Sequence, residues 1–390
     1  MKAAHSLCLA ALGLLTLAGC ATTVVEAPYV ATGDPVIDTQ ERIRRAPPRD
    51  RALVEYEIAA DAMRRGQVDI AKRSLDDAIA GIEGIFAGGD RNAAKSRSYF
   101  HAESKKTFLG EPYERVMAYF YRGILYWMDG EPDNARACFR SAQLQDSDTE
   151  NKSYSSDYVL LDYLDGLATV KLAGDGADAY QRAMTNSKSG PLAAYEPKAN
   201  VLVFFEFGDG PKKYATGQYA EQLRFREGRS EARSAVLKVD GREMPVTPQD
   251  DLYFQATTRG GRVMDHILAN KAVFKSATDA AGDVGLITGA VLASDRNTET
   301  AGLALLGASL ITKLVSAAST PHADTRSWDN LPQFLAFQAL TLSPGEHHAV
   351  IEFKDAGGRL LAGRAKSVTI QAPVKGRDAV IFVSDRSEKP

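Results

Sequence analysis

The chain has 390 residues, which is enough for two or three domains that each bury their own core. Its 47 basic and 50 acidic residues give a net charge of −3, and 44% of the residues are hydrophobic. These values are typical of a globular protein and exclude a strongly basic, nucleic-acid-binding one. We therefore predict no nucleic-acid partner and no strong charge attraction of the chain as a whole to lipid headgroups.

The N-terminus has the pattern of an export signal. Lys2 supplies a positive start, and Leu7 to Ala18 is an apolar stretch that is too short to span a bilayer. The stretch closes with Leu17-Ala18-Gly19-Cys20, which resembles the lipobox of bacterial lipoproteins. An ordinary secretory signal that contains a chance cysteine is the alternative.

The lipobox resemblance implies that residues 1–19 are removed and that Cys20 is lipidated. The residue after the cysteine is Ala21 rather than the Asp that retains such proteins in the inner membrane. The resemblance therefore implies an outer-membrane lipoprotein that faces the periplasm. Its lipid chains would contribute about 0.8 kcal/mol per buried methylene, so that several chains anchor it stably.

Two further features concern the chain around this anchor. Residues 20–49 contain four prolines and few large apolar residues, which predicts a flexible, extended tether after the lipidated cysteine. Of the three cysteines, Cys8 leaves with the signal and Cys20 carries lipid. Cys138 is left alone, so we predict no intramolecular disulfide and a small core or groove residue rather than a reactive thiol.

Helical periodicity begins at Asp50 and continues to about residue 190. Asp50 is a candidate N-cap, Gly66 breaks the first helix, and Pro132 stands near the start of a later one. The second pair of helices has the aromatic and small-residue spacing of a tetratricopeptide repeat, carried by Tyr119, Gly123, Tyr126, Ala135, Phe139 and Ala142. We therefore predict that residues 50–190 form a tetratricopeptide-like helical solenoid, in which Gly123 permits close packing of the paired helix.

Three further motifs stand in the sequence: the segment from Phe108 to Tyr119 with Tyr121-Arg122-Gly123, the segment from Asp324 to Pro332, and the segment from Leu342 to His347. Together they resemble a poorly characterised family of bacterial tetratricopeptide-containing outer-membrane lipoproteins. The resemblance spans most of the mature chain, but implies no enzymatic activity. It implies envelope proteins as partners, including small lipoproteins similar to the curli-secretion protein or to activators of penicillin-binding proteins.

After residue 196 the pattern changes to short strands. Asn200 to Phe207 is a buried-strand run, and Val236–Val239 with Met244–Val246 forms a hairpin around Asp240-Gly241. Five more strands are predicted at Gln338–Leu342, Ala349–Phe353, Leu360–Ala362, Ser367–Ile370 and Ala379–Val383. The fold class is therefore α+β, with a small antiparallel β domain at 196–390.

A helical insertion at about 262–320 interrupts this β domain. Its runs Val284–Ala293 and Ala301–Ala318 are apolar and rich in Gly and Ala, and each is too short to span a bilayer. One interpretation is a helical hairpin (residues 282–318) buried against the sheet. The other is a hairpin that touches the membrane or inserts into a partner.

The sequence shows no convincing catalytic or metal-binding set, so we predict a non-enzyme without a cofactor or a metal. A glycine-rich, basic turn at 208–213 suggests a phosphate cradle, but it lacks the P-loop pattern and is better explained as a plain turn. Trp328 stands in a polar stretch beside Arg326, where it either anchors the loop against the sheet or contacts a partner. Tyr119, Tyr126, Arg326 and Trp328 are the candidate partner-binding residues.

These features predict a lipid-anchored envelope scaffold that binds partner proteins through a tetratricopeptide-like surface. A secretion or cell-wall-synthesis assembly is the expected setting. The alternatives are a component that inserts into the membrane through residues 282–318, and an enzyme that acts on an envelope polymer.

Overall fold

The computed structural model describes residues 28–87, 107–147, 154–218, 220–258, 323–374 and 376–388. The chain divides into two units, Met1–Glu41 and Arg42–Pro390. Cys20, the export signal and the predicted insertion at 262–320 lie outside the described residues, so the expectations about them stay predictions.

Helix α1 (Pro35–Arg45) lies within the segment predicted to be an extended tether. Its first turn contains Asp38, whose carboxylate accepts hydrogen bonds from the Tyr29 hydroxyl at 2.5 Å and from the Thr32 backbone N at 2.8 Å. These bonds hold the pKa of Asp38 down to about 2. The first backbone N–H groups of the helix donate instead to the Asp34 side chain, at 2.8 and 3.3 Å, so a local acid caps a helix that the proline content of the sequence did not predict.

Eight α-helices lie in the described parts of the chain, and seven of them belong wholly to the second unit. Six of these seven form three consecutive pairs, and the seventh is a short helix within the strand-rich part. After α1 they are α2 (Arg51–Arg64), α3 (Val68–Ala87), α4 (Pro112–Met128), α5 (Pro132–Asp146), α6 (Val159–Lys171), α7 (Ala177–Asn186) and α8 (Leu252–Thr257).

The helix signals of the sequence are confirmed at several positions. Gly66 has a φ of +68°, a left-handed conformation that ends α2, and Pro132 is the first residue of α5. Asp50 precedes α2 but makes no capping bond with its side chain, which instead accepts from Arg326. At Gly123, an added Cβ would lie 2.6 Å from Cε1 of Phe139, so glycine does permit the close packing of α4 on α5.

Replacing Gly123 by Ala is therefore expected to destabilise the protein. The new methyl group collides with a fully buried ring, and overpacking of this kind costs about 1–3 kcal/mol. Gly81 provides a control, because it is exposed in α3 and an added Cβ meets nothing within 4 Å. Gly81→Ala should raise the unfolding free energy by up to about 1 kcal/mol through helix propensity. Urea denaturation measures whether the unfolding free energy falls in Gly123→Ala and rises in Gly81→Ala. An equal change in the two variants would contradict close packing at Gly123.

Ten strands lie in the described residues and form three sheets. The strands are β1 (Val201–Phe207), β2 (Lys212–Thr216), β3 (Gln222–Arg226), β4 (Ser234–Val239), β5 (Arg242–Val246), β6 (Asp250–Asp251), β7 (Phe334–Leu340), β8 (Gly345–Lys354), β9 (Lys366–Ala372) and β10 (Ala379–Ser384). Sheet A has the order β10-β1-β7-β6, sheet B is the separate hairpin of β2 and β3, and sheet C has the order β5-β4-β8-β9.

Strand β1 lies at the centre of three layers. Val201, Val203 and Phe205 pack on the core shared with sheet C, whereas Leu202 and Phe204 pack on the core shared with the helices. A strand covered on both faces needs apolar side chains in both directions, which explains its unbroken apolar run. The layers are therefore helices, sheet A and sheet C, and one face of the helical array is occupied by sheet A.

Aromatic side chains form the contact between the helices and sheet A. On α4, Phe120 and Trp127 contact Phe204 of β1, with ring centroids 6.3 and 6.5 Å apart. On α6, Tyr163 contacts Phe337 of β7, with ring centroids 5.9 Å apart. The helical and strand-rich parts of the second unit thus share one hydrophobic core.

The predicted α+β class is confirmed, and the sheets are antiparallel except for the parallel pair β1 and β10. The hairpin around Asp240 and Gly241 is confirmed, with both residues at positive φ as a tight two-residue turn requires. The predicted strand at Leu360–Ala362 is wrong, since this stretch makes only a single bridge, from Leu360 to Lys354. The predicted strand at Gln338–Leu342 instead runs from Phe334 to Leu340.

Candidate functional site

Trp328 lies in a polar strap, residues 323–333, that leads into β7. Its side chain is 1% exposed and stacks on Tyr56 of α2, with ring centroids 4.4 Å apart and planes 17° apart. The ring of Tyr121 meets it edge-on at 5.9 Å, and the indole N–H donates to the Asn330 side chain at 2.7 Å. Trp328 therefore anchors the strap, but against helices rather than against the sheet, and its ring is covered in this arrangement.

Glu114, which is fully buried on α4, fixes the centre of the strap. One carboxylate oxygen accepts from the backbone N of Trp328 at 2.7 Å. The other accepts from the backbone N of Glu111 at 2.6 Å and from the Lys213 ammonium at 2.6 Å. Lys213 also donates to the carbonyl of Arg326 at 2.8 Å. Two of the three family-like motifs, around residues 108–123 and 324–332, thus meet at one buried ion pair.

Arg326 is held by acids on both sides. Its guanidinium forms ion pairs at 2.5 Å with Asp324 in the strap and with Asp50 at the start of α2. The same group lies 5.6 Å from the ring centroid of Phe108. These contacts occupy the side chain within the protein, so a partner that bound Arg326 would have to displace them.

A second buried network joins sheet A to the helices below the strap. Glu206, the one polar residue of β1, accepts from the Arg64 guanidinium at 2.6 Å and from the Tyr121 hydroxyl. Burial alone would raise the pKa of Glu206, but Arg64 and Arg386 hold it below its usual value. Arg64 and Arg386 both also donate to the carbonyl of Asn330. The strap is therefore bound to the helices and sheet A through two buried charged clusters, one around Glu114 and one around Glu206.

Tyr119 and Tyr126 lie apart from the strap, on a face of α4 beside α3. The Tyr119 hydroxyl donates to Glu83 of α3. Arg122 donates to Asp76 of α3 at 2.6 and 3.1 Å, and its guanidinium lies 3.6 Å from the ring centroid of Tyr126. We call these five residues the tyrosine face. Tyr119 is 9% exposed and Tyr126 is half-buried, whereas the carboxylates of Asp76 and Glu83 are exposed at its rim.

Cys138 of α5, which was predicted to be a small core or groove residue, lies near this face. Its side chain is partly buried, and burial raises the pKa of its thiol to about 11. A thiol with that pKa is protonated at neutral pH, and only the thiolate is a good nucleophile. The environment of Cys138 therefore does not activate it.

A further buried carboxylate caps the N-terminus of α6. Asp250, in strand β6, accepts from the backbone N–H groups of Val159 and Leu160, both at 2.9 Å. Burial raises the pKa of Asp250 from 3.8 to about 7, even though these two donors act in the opposite direction. The shift makes this cap a source of pH-dependent stability.

The raised pKa of Asp250 predicts that stability falls as pH rises between about 4 and 7. In that window the native protein still holds the proton that the unfolded chain has released, so raising the pH favours unfolding. A shift of this size corresponds to about 4 kcal/mol. Asp250→Asn removes the titration, and the difference in unfolding free energy between the two proteins should change by this order from pH 4 to pH 8. A constant difference would show that Asp250 is ionised throughout.

A cavity of about 260 Å³ lies between α6, α7 and the segment that follows them. Its lining includes Asp175, Tyr180 and Tyr195, and Asp175 is the one carboxylate among the described lining residues. Hydrolysis of a glycosidic bond typically uses a pair of carboxylates, and this lining supplies one. Within the described ranges, no group of His, Cys, Asp and Glu is arranged to hold a metal ion.

The sequence interpretation missed the two residues that organise the strap. Glu114 stands three positions after Glu111 at a helix that starts with Pro112, and this spacing is a capping-box signal that could have been recognised. Lys213 carries no such signal. It was considered only within a glycine-rich turn, but its Nζ is bound to Glu114 and so cannot cradle a phosphate.

Comparisons with models of protein families, with curated proteins and with solved structures found no match for this chain. What the protein does is therefore inferred from its own residues and their geometry. None of the described helices is long and apolar enough to cross a bilayer.

Proposed function

We propose that this protein is a lipid-anchored adaptor of the bacterial envelope, which binds a partner protein through the tyrosine face. The observation that carries the proposal is the way in which this face is built. Exposed carboxylates, Asp76 and Glu83, stand beside two tyrosines, of which Tyr119 is nearly buried and Tyr126 is half-buried. Aromatic side chains rimmed by charge are typical of protein-binding surfaces.

The remaining candidate residues support this choice of surface. Trp328 and Arg326 are both held within the protein by the strap network. The opposite face of the helical array is covered by sheet A. A tetratricopeptide-like pairing of α2 with α3 and of α4 with α5 would leave the side around α3 for a partner.

The chemistry of the rim indicates the kind of partner. Asp76 and Glu83 outnumber Arg122, the one cation of the tyrosine face, and this excess of negative charge favours a basic segment. The aliphatic side-chain stems of such a segment could lie against the exposed part of Tyr126, beside the Arg122 guanidinium. The lipid on Cys20 would confine the adaptor to the outer membrane and raise its local concentration near other anchored proteins. The family resemblance implies small envelope lipoproteins as such partners.

Site-directed photocrosslinking tests the proposal. A photoreactive phenylalanine in place of Tyr126 should give one discrete crosslinked species in intact cells. The same group at Arg359, which is exposed on the turn after β8, provides a matched control and should give none. Glu83→Lys should abolish the species from position 126, whereas Glu346→Lys, an exposed charge reversal on β8, should not.

The outcomes against the proposal are also specific. A species that persists in Glu83→Lys shows that the carboxylate rim does not recognise the partner, which contradicts a basic partner segment. Equal crosslinking at positions 126 and 359 indicates nonspecific contact. Absence of any species at position 126, under several growth conditions, removes the tyrosine face as a binding surface.

A further inference from the structure

The hairpin of β2 and β3 has two faces of different character. The register pairs Lys213 with Phe225, and both side chains are directed at the body of the protein. Phe225 meets the ring of Tyr113 edge-on at 5.8 Å, and Lys213 is bound to Glu114. These contacts fix the hairpin firmly, so its opposite face points away from the core.

That opposite face carries basic and aromatic side chains. The cross-strand pairs that form it are Lys212 with Arg226, Tyr214 with Arg224, and Thr216 with Gln222. Arg224, Arg226 and Gln222 are exposed, and Tyr214 is 41% exposed. The face therefore presents three cations, one tyrosine and no acid.

The neighbouring groups leave these cations largely uncompensated. Arg224 donates to the side-chain amide of Gln222, and Lys212 donates to the backbone carbonyl of Asp329. No described acidic side chain forms an ion pair with Arg224 or Arg226. Glu227, which follows the hairpin, is bound to Arg233 instead.

Two further contacts hold the hairpin in place. Helix α8 packs beside β3, and the backbone N of Ala323 donates to the carbonyl of Ala220 in the hairpin turn at 2.8 Å. The basic face therefore belongs to a hairpin that is fixed along both its strands and its turn.

We propose that this outer face of the hairpin binds the anionic headgroups of a phospholipid surface. Lys and Arg side chains near an anionic membrane attract its phosphates, and tyrosine rings favour the interface between water and lipid. The positive charge is confined to this face, so it is compatible with a net charge of −3 for the whole chain. The inference goes beyond the adaptor role, since it requires neither the lipid on Cys20 nor a protein partner.

Vesicle binding tests the site on the full mature chain, residues 20–390, with Cys20→Ser so that no lipid contributes. Cosedimentation compares phosphatidylcholine vesicles with vesicles that also contain phosphatidylglycerol. The protein should prefer the anionic vesicles, and the preference should fall as salt rises. Arg224→Glu with Arg226→Glu should weaken anionic binding by at least about 25-fold, because each basic group near the surface contributes roughly fivefold.

A matched control separates the hairpin from the overall charge. Arg242→Glu with Arg359→Glu makes the same change in net charge at exposed positions of β5 and of the turn after β8, and should leave vesicle binding unaltered. Circular dichroism confirms that each variant is folded. Equal binding to both kinds of vesicle, equal loss in the two double variants, or full binding by the hairpin variant would each overturn the proposal. None of these results depends on crosslinking at the tyrosine face.

Discussion

Replacing Glu114 by Gln is expected to lower the unfolding free energy by about 3–5 kcal/mol, the cost of breaking a buried ion pair by removing one partner. The Lys213 side chain is 2% exposed and would be left buried without its carboxylate partner. The amide would also place a donor where three donors already converge, from Glu111, Lys213 and the strap. Denaturant unfolding followed by fluorescence measures the loss.

Two comparisons make the Glu114 result specific. Glu231→Gln removes the exposed partner of Arg364 and should change stability little, because surface ion pairs contribute little. Combining Glu114→Gln with Lys213→Met removes both charges and should restore part of the loss. A single substitution at Glu114 with no more effect than Glu231→Gln would show that the ion pair is not buried as described.

The second large effect is expected from Trp328→Ala. Truncation removes a fully buried indole that stacks on Tyr56, and such changes cost about 3–5 kcal/mol. Loss of the anchor should also free the strap, so limited proteolysis should cut near Asp324 to Asn330 in the variant before it cuts there in the parent protein. Thermal unfolding and mass spectrometry of the fragments record both changes.

This variant also decides between the two interpretations of Trp328. Leu144→Ala serves as the control, since Leu144 is 70% exposed and its truncation should leave stability unchanged. If Trp328 mainly contacted a partner, its loss would resemble that control and would instead abolish partner binding. We expect instead that Trp328→Ala lowers the unfolding free energy far more than Leu144→Ala does.

Local patterns predicted the parts of the fold in which neighbouring residues determine the structure. The structure confirms three such patterns. The apolar run of β1 reflects burial on both faces, the Asp240-Gly241 turn reflects the need for positive φ, and the small residue at position 123 reflects close helix packing. Helix α1 was missed because the hydrogen bonds to Asp38 come from residues that precede the helix. Periodicity does not register such contacts.

The candidate site could be predicted only in part, because its central contacts join distant parts of the chain. The bond from Lys213 to Glu114 spans 99 positions, and that from Trp328 to Glu114 spans 214. One clue was present in the sequence: Glu206 is a carboxylate within a run predicted to be buried. Such a residue requires a cationic or hydroxyl partner, as Arg64 and Tyr121 provide. The identity of those partners needed the structure.

The parallel pairing of β1 with β10 affects how the chain can mature. Strand β10 forms one edge of the sheet against which the helices pack, although it is far from β1 in the chain. During synthesis the helices emerge first, and the aromatic side chains of α4 and α6 stay uncovered until β1 and β7 have been made. The nascent protein therefore exposes an apolar surface for a long interval, and a chain without β10 would present the unpaired edge of β1 for association.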